Sequence, residues 1–197
     1  MMKTLYLMRH GETLFNVYHR IQGASDSPLT ARGIAQAQAA KAFYDKRGIH
    51  FTDAVSSTQE RASDTLELIT DQPYQRLKGI KEWNFGVFEG QSETLNPKHP
   101  GEASYGTFFA EHGYGGEAML DVQKRMVATL TEVMQQSKGD TVLAVSHGGA
   151  MHAFLLHYLA WPMTGYQIYT GNCAILEMSF DGSEFHFVAS DDPLQDN

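Results

Sequence analysis

The chain has 197 residues, 42% of them apolar and 19% charged, with a formal net charge of -8. That balance excludes a disordered chain, and so acidic a surface opposes non-specific binding to nucleic acid or anionic membranes while leaving room for a local basic pocket. The one cysteine, Cys173, excludes an intrachain disulfide; with a first apolar run too short for a signal-peptide core and no stretch near the roughly 18–20 residues that cross a bilayer, a cytoplasmic protein without membrane partners is expected.

Residues 5–8 form a short apolar run that reads as a buried strand. Ile34, Ala37, Ala40 and Phe43 keep helical spacing within 30–46, and Gly48 ends that element. A second strand is expected at 53–56, then a helix over about 59–70, closed by Pro73. Met126, Val127, Leu130, Val133 and Met134 make a further helical stripe, stopped by Gly139. A third apolar run at 141–145 reads as a strand, followed by a helix over 149–159 that Trp161-Pro162 ends. The runs 174–180 and 184–189 flank Asp181-Gly182-Ser183, a hairpin signal. Strands alternating with helices predict a three-layer α/β/α sandwich around a mostly parallel sheet. One domain is expected over 1–190, with a lid-like insertion around 84–118 and a loose acidic tail over 191–197.

Ligands bind such sheets at the carboxyl ends of the strands. Three strand ends carry polar signatures: Arg9-His10, then Ser56-Ser57 with Arg61, and Ser146-His147-Gly148-Gly149. Two arginine forks suit a phosphate monoester. Backbone N–H groups at a helix opened by Gly148 and Gly149 would add anion binding. Histidine can attack phosphorus through one ring nitrogen when the other is held in the correct tautomer. A second, charged histidine can steady the equatorial oxygens. A carboxyl group can protonate the leaving oxygen and then activate water.

These segments resemble the histidine phosphatase superfamily, the phosphoglycerate mutase-like family. Arg9-His10-Gly11-Glu12-Thr13 is similar to its signature, with Asn16 and Gln22-Gly23 following at family spacing. Asp26-Ser27-Pro28-Leu29-Thr30, the stretch from Ser56-Ser57 through Arg61 to Thr65, Glu82-Trp83-Asn84-Phe85-Gly86 and Ser146-His147-Gly148-Gly149 complete the resemblance in order. It implies the phosphoglycerate mutase-like fold and His10 as the phosphorylated nucleophile. It implies that Arg9, Arg61 and His147 hold the phosphoryl group with Asn16 assisting, and that Glu82 is proton donor and later base. Gln22 and Gly23 are implied as substrate contacts. No cofactor and no metal are implied, since fixed cations do the charge work.

The family contains hydrolases and mutases. Between Glu82 and Gln123 this chain has a single basic residue, Lys98, against seven acids, and it is rich in aromatics from Trp83 to Tyr114. If that segment covers the pocket, it favours a singly charged phosphate on a neutral or apolar body over a polyanion. A broad-specificity phosphomonoester hydrolase is therefore expected; a phosphoglycerate mutase and a non-enzymatic phospho-ligand module are the alternatives. Ser146-His147-Gly148-Gly149 could suggest a serine hydrolase, but no G-x-S-x-G elbow supplies its nucleophile. Glu89 stays open as an alternative acid. So do a mobile lid against a structural excursion for the Gly-rich stretch, and a homodimer.

Overall fold

The computed structural model describes residues 2–97, 106–159, 163 and 165–195. Six strands form one mixed, mostly parallel sheet in the order β3-β2-β4-β1-β5-β6: β1 (Lys3–Arg9), β2 (Asp53–Ser57), β3 (Gln75–Leu77), β4 (Thr141–Ser146), β5 (Ile175–Phe180) and β6 (Phe185–Asp191). Neighbours among the first four pair in parallel, and the closing hairpin runs antiparallel. The helices are α1 (Leu14–Val17), α2 (Ala31–Lys46), α3 (Glu60–Glu67), α4 (Met119–Gln136) and α5 (Gly148–Tyr158).

Alternation along the strands builds two cores. Leu5, Leu7, Val142, Ala144, Leu176 and Met178 face one side, where Met126, Leu130 and Phe154 bring α4 and α5 onto the sheet. Tyr6, Met8, Leu143, Val145 and Ile175 face the other, against Ala37, Ala40 and Phe43 of α2 and Leu66 of α3. Both faces are thus covered, which is why the central strands read as continuous apolar runs rather than alternating ones. The expected sandwich and its parallel core are present.

Several details differ from the sequence expectation. Three-residue β3 gave no apolar signal, because it is a mostly exposed edge strand. Ile34 is 40% exposed; α2 turns Gly33, Ala37, Ala40 and Tyr44 inward instead. Helix α3 ends at Glu67 rather than near 70. Asp191 belongs to β6, and its carboxylate meets Arg47 at 3.2 Å, so the acidic tail is not wholly loose. The expected stop at Trp161-Pro162, and Lys98 and Tyr105 of the insertion, lie outside the described residues. Among the described residues no helix is long and apolar enough to cross a membrane.

Candidate active site

The register of the sheet assembles the site. Arg9 at the end of β1 lies opposite Ser146 at the end of β4, and the next amide, His10 N–H, donates to the Ser146 carbonyl at 3.1 Å. Strand β2 flanks β4 on the other side and ends at Ser57. His10, His147 and the Arg61 side chain therefore meet at one carboxyl edge, all of them buried. The imidazoles of His10 and His147 have ring centroids 5.2 Å apart.

The tautomers follow from the partners. His10 Nδ1 lies 2.7 Å from the Gly11 carbonyl oxygen. A carbonyl can only accept, so Nδ1 carries the proton and Nε2 keeps its lone pair. His147 Nε2 lies 2.6 Å from Ser57 Oγ. The one proton of that hydroxyl has two acceptors in reach, Nε2 at 2.6 Å and Gln59 Oε1 at 3.3 Å; it goes to the shorter contact, so Nε2 accepts and Nδ1 bears the proton. Burial, and then the charges of Arg61 and Arg9, hold the His10 pKa well below the ordinary histidine value. Burial, Arg61 and His10 do the same to His147. The free protein thus disfavours the charged second histidine expected from sequence. It presents a neutral donor instead.

Arg61 is fully buried, and both its terminal nitrogens are spent on the loop from Gln22 to Asp26. Nη1 meets Asp26 and the Ser25 carbonyl, each at 2.9 Å, and Nη2 meets the Gly23 carbonyl at 3.1 Å. Arg9 Nη1 donates to the Thr170 carbonyl at 2.7 Å. Arg61 therefore does not present the open fork expected from sequence and retains only Nε, whereas Arg9 spends Nη1 alone. Among the described residues Arg9 Nε, Arg61 Nε and His147 Nδ1 are buried without a hydrogen-bond partner. Buried donors left unpaired cost about 1–3 kcal/mol each and are rare. Three of them belong to side chains clustered around His10, an arrangement whose chemistry matches an acceptor-rich anion.

Glu82 is buried beside this cluster. Its carboxylate takes the Gly149 N–H at 3.0 Å on Oε2 and the Ala150 and Trp83 N–H groups, each at 2.8 Å, on Oε1. The N-terminus of α5 is therefore capped by the chain's own acid, and these amides are not left for a bound anion as expected. A Cβ at position 149 would sit 2.8 Å from Glu82 Oε1, so glycine is what lets the acid approach. Gly148 packs on Arg9, its would-be Cβ 3.3 Å from Nε. Glu89 has a different environment. It takes the N–H groups of Gly23, Ala24, Ser25 and Phe85 and so pins a loop.

A cavity of about 450 Å³ opens beside His10, lined by Arg9, His10, Asn16, Gln22, Glu82 and Gly148 among others, while Arg61 and His147 lie buried behind it and do not line it. Asn16 Oδ1 faces the N–H of Thr13 and the amide of Asn172, and Gln22 bridges Thr13 and Ser27. Gly23, expected at the substrate, does not line the cavity. Its N–H goes to Glu89 and its carbonyl to Arg61 and Gln59, and a Cβ there would strike the Trp83 carbonyl. Its place is a packing one. Among the described residues no group of His, Cys, Asp and Glu side chains is arranged to hold a metal ion.

Three supporting residues escaped the sequence reading. Gln59 Oε1 accepts the Glu82 N–H at 3.0 Å. Asn172 joins the His10 carbonyl to Asn16, each at 3.2 Å. Arg125 clamps the carbonyls of Gly79, Lys81 and Glu82 and pairs with Glu117. A polar residue at the turn between β2 and α3 was a usable signal for Gln59. Asn172 and Arg125 act on distant stretches of chain and carry no local signature.

A family model of the histidine phosphatase superfamily (branch 1) matches residues 5–193. The chain belongs to that superfamily. A curated relative from Yersinia pestis, described as "Probable phosphoglycerate mutase GpmB", is 33% identical over 92% of this chain and 87% of its own. Among solved structures, Bacillus stearothermophilus YhfR superposes with a TM-score of 0.79 at 27% identity, covering 94% of this chain and 95% of that one. Phosphoserine phosphatase from Entamoeba histolytica, solved with 3-phosphoglyceric acid, gives 0.75 at 28% identity over 95% and 96%. Histidine phosphatases resembling this chain thus include proteins described as mutases and as phosphatases.

Proposed function

We propose that this histidine phosphatase hydrolyses phosphate monoesters through a phosphohistidine formed on His10. The observation that carries the reading is the set of unpartnered buried donors, Arg9 Nε, Arg61 Nε and His147 Nδ1, around a His10 whose Nδ1–H is tied to Gly11. The Nε2 lone pair attacks phosphorus and the bond to the ester oxygen breaks. Glu82 supplies the proton that this oxygen takes up. Water then attacks the phosphohistidine and gives its proton to Glu82, releasing phosphate and restoring the His10 lone pair. The phosphoryl charge is met by donors already in place, so little reorganisation is needed during transfer.

The mutase reading draws on the relatives described by that name. It requires cations for a second anionic group, as well as for the phosphate. Among the described residues lining the cavity the added cation is Arg20, whose Nη1 is bound to the Gly90 carbonyl, and Glu93 and Asn96 line the same cavity. That composition favours hydrolysis. Release of phosphate from p-nitrophenyl phosphate in excess EDTA, lost in His10→Ala, is the expected result. Absence of turnover by folded wild type, together with primer-dependent exchange between 3- and 2-phosphoglycerate, would establish the mutase instead.

A further inference from the structure

A second cavity, about 330 Å³, adjoins the first. The two share Arg9, Gly148, His152 and Thr170 as walls. Gly148, Met151, His152 and Leu155 follow the i, i+3, i+4, i+7 spacing of one helix face. That stripe of α5 runs from the reaction centre down the side of the second cavity. Leu176 of β5 and Ile168 in the segment between α5 and β5 line the same cavity.

Among the described residues this wall carries no carboxylate and no carboxamide; its charged member is Arg9 at the boundary, its other polar side chains are His152, Tyr166, Tyr169 and Thr170, and Met151, Leu155, Met163, Ile168, Ala174 and Leu176 make the rest of it apolar. Arg9 is fixed there by the Thr170 carbonyl on one side and by contact with Gly148 on the other. Glu82 reaches the same first turn of α5 through the Gly149 and Ala150 amides. The oxygen it would protonate therefore starts where that stripe begins. The volume lies at the small end of ligand sites, roughly 300–1,000 Å³, and suits one aromatic ring or a short alkyl chain.

We propose that this cavity seats the organic group of the substrate, which is then the phosphate monoester of an apolar alcohol or phenol. The proposal rests on the hydrolase reading above and names its substrate class. The test is titration calorimetry with methyl-, butyl- and hexylphosphonate, which bind without being cleaved, on the wild type and on Ile168→Trp, which fills the cavity. Wild-type affinity is expected to rise about threefold to fourfold per added methylene, and the hexyl-to-methyl ratio to fall towards one in the variant. Equal affinity for all three, or a chain-length advantage that survives a folded Ile168→Trp, overturns the proposal. If the variant does not fold, the wild-type series decides alone. Hydrolysis of phenyl phosphate and glycerol phosphate separates the two claims. Turnover without chain-length dependence removes the apolar cavity from the account and keeps the hydrolase. Chain-length dependence without turnover of either ester removes the hydrolase and keeps the cavity as a ligand site.

Discussion

At the floor of the catalytic cavity each side chain hangs from a strand end or from the helix that follows one, and is tied to a backbone carbonyl or, for His147, to a buried side-chain hydroxyl. His10 is held by Gly11, His147 by Ser57, and Arg61 by the carbonyls of Ser25 and Gly23. At the rim, Trp83, Phe85, Phe88 and Phe108 hold themselves together through Phe109, with ring centroids 4.8–5.7 Å from it. The floor takes its geometry from sheet register, which permits only discrete changes. The rim takes its geometry from packing of aromatic edges on faces, which adds about 0.5–1.5 kcal/mol per pair beyond burial. Chemistry should therefore fail with changes at the floor, and stability with changes at the rim.

The largest effect expected is at His10. His10→Ala should lower kcat by about 10⁴-fold or more while circular dichroism stays that of the wild type. A folded variant retaining substantial turnover would break the assignment of the nucleophile. The two carboxylates sharpen the contrast. Glu82→Gln should lower kcat by about 10²–10⁴-fold on alkyl phosphates, and by less on p-nitrophenyl phosphate, whose leaving group needs no proton. Glu89→Gln should leave kcat within a few-fold, about the scale of a packing change, and loosen the loop it pins, read as faster amide exchange at Gly23 to Ser25. If the two variants exchange behaviours, Glu89 is the acid. At the rim, Phe109→Ala should cost about 3–5 kcal/mol of stability in urea unfolding, because Phe109 is fully buried. A loss below about 1 kcal/mol would show that the rim is not packed as the ring geometry implies.

The same contrast explains what could be read in the sequence. The floor lies on contiguous motifs at strand ends, so His10, Arg9, Arg61, His147 and Glu82 were legible as a set, and the sandwich was legible from apolar runs. Bonding roles were not. That Glu82 caps α5, or that Arg61 turns its fork to the loop at Gly23, depends on which N–H and C=O groups lie nearest after folding. No spacing rule encodes that. Asn172 and Arg125 were invisible for the same reason, each serving chain more than 40 residues away. The rim was read only as an aromatic-rich excursion, because its order arises from rings meeting across irregular backbone. Strand β3 was missed because exposed three-residue edges have no hydrophobic period.

The smallest expected effect is a pH dependence at the floor. His10 and His147 are held well below the ordinary histidine pKa when folded, chiefly by burial and Arg61, and return to about 6.5 when the chain unfolds. Above that pH neither state carries the protons, so these groups add no slope. As pH falls below about 6.5, the unfolded chain takes up protons that the folded chain refuses, and stability drops. Each histidine contributes at most about 1.4 kcal/mol per pH unit within that window. His147→Asn removes one of the two and should flatten the fall in urea-unfolding free energy between pH 7 and pH 5.5 relative to wild type. The comparison between proteins cancels other buried groups, such as His152, whose pKa burial also lowers. A bound phosphate analogue adds negative charge between the arginines and favours the protonated histidines, so saturating orthovanadate should flatten the wild-type slope as well. A wild-type slope that neither the variant nor the analogue changes would mean the floor histidines titrate normally, and that the positive field around His10 is weaker than its surroundings imply.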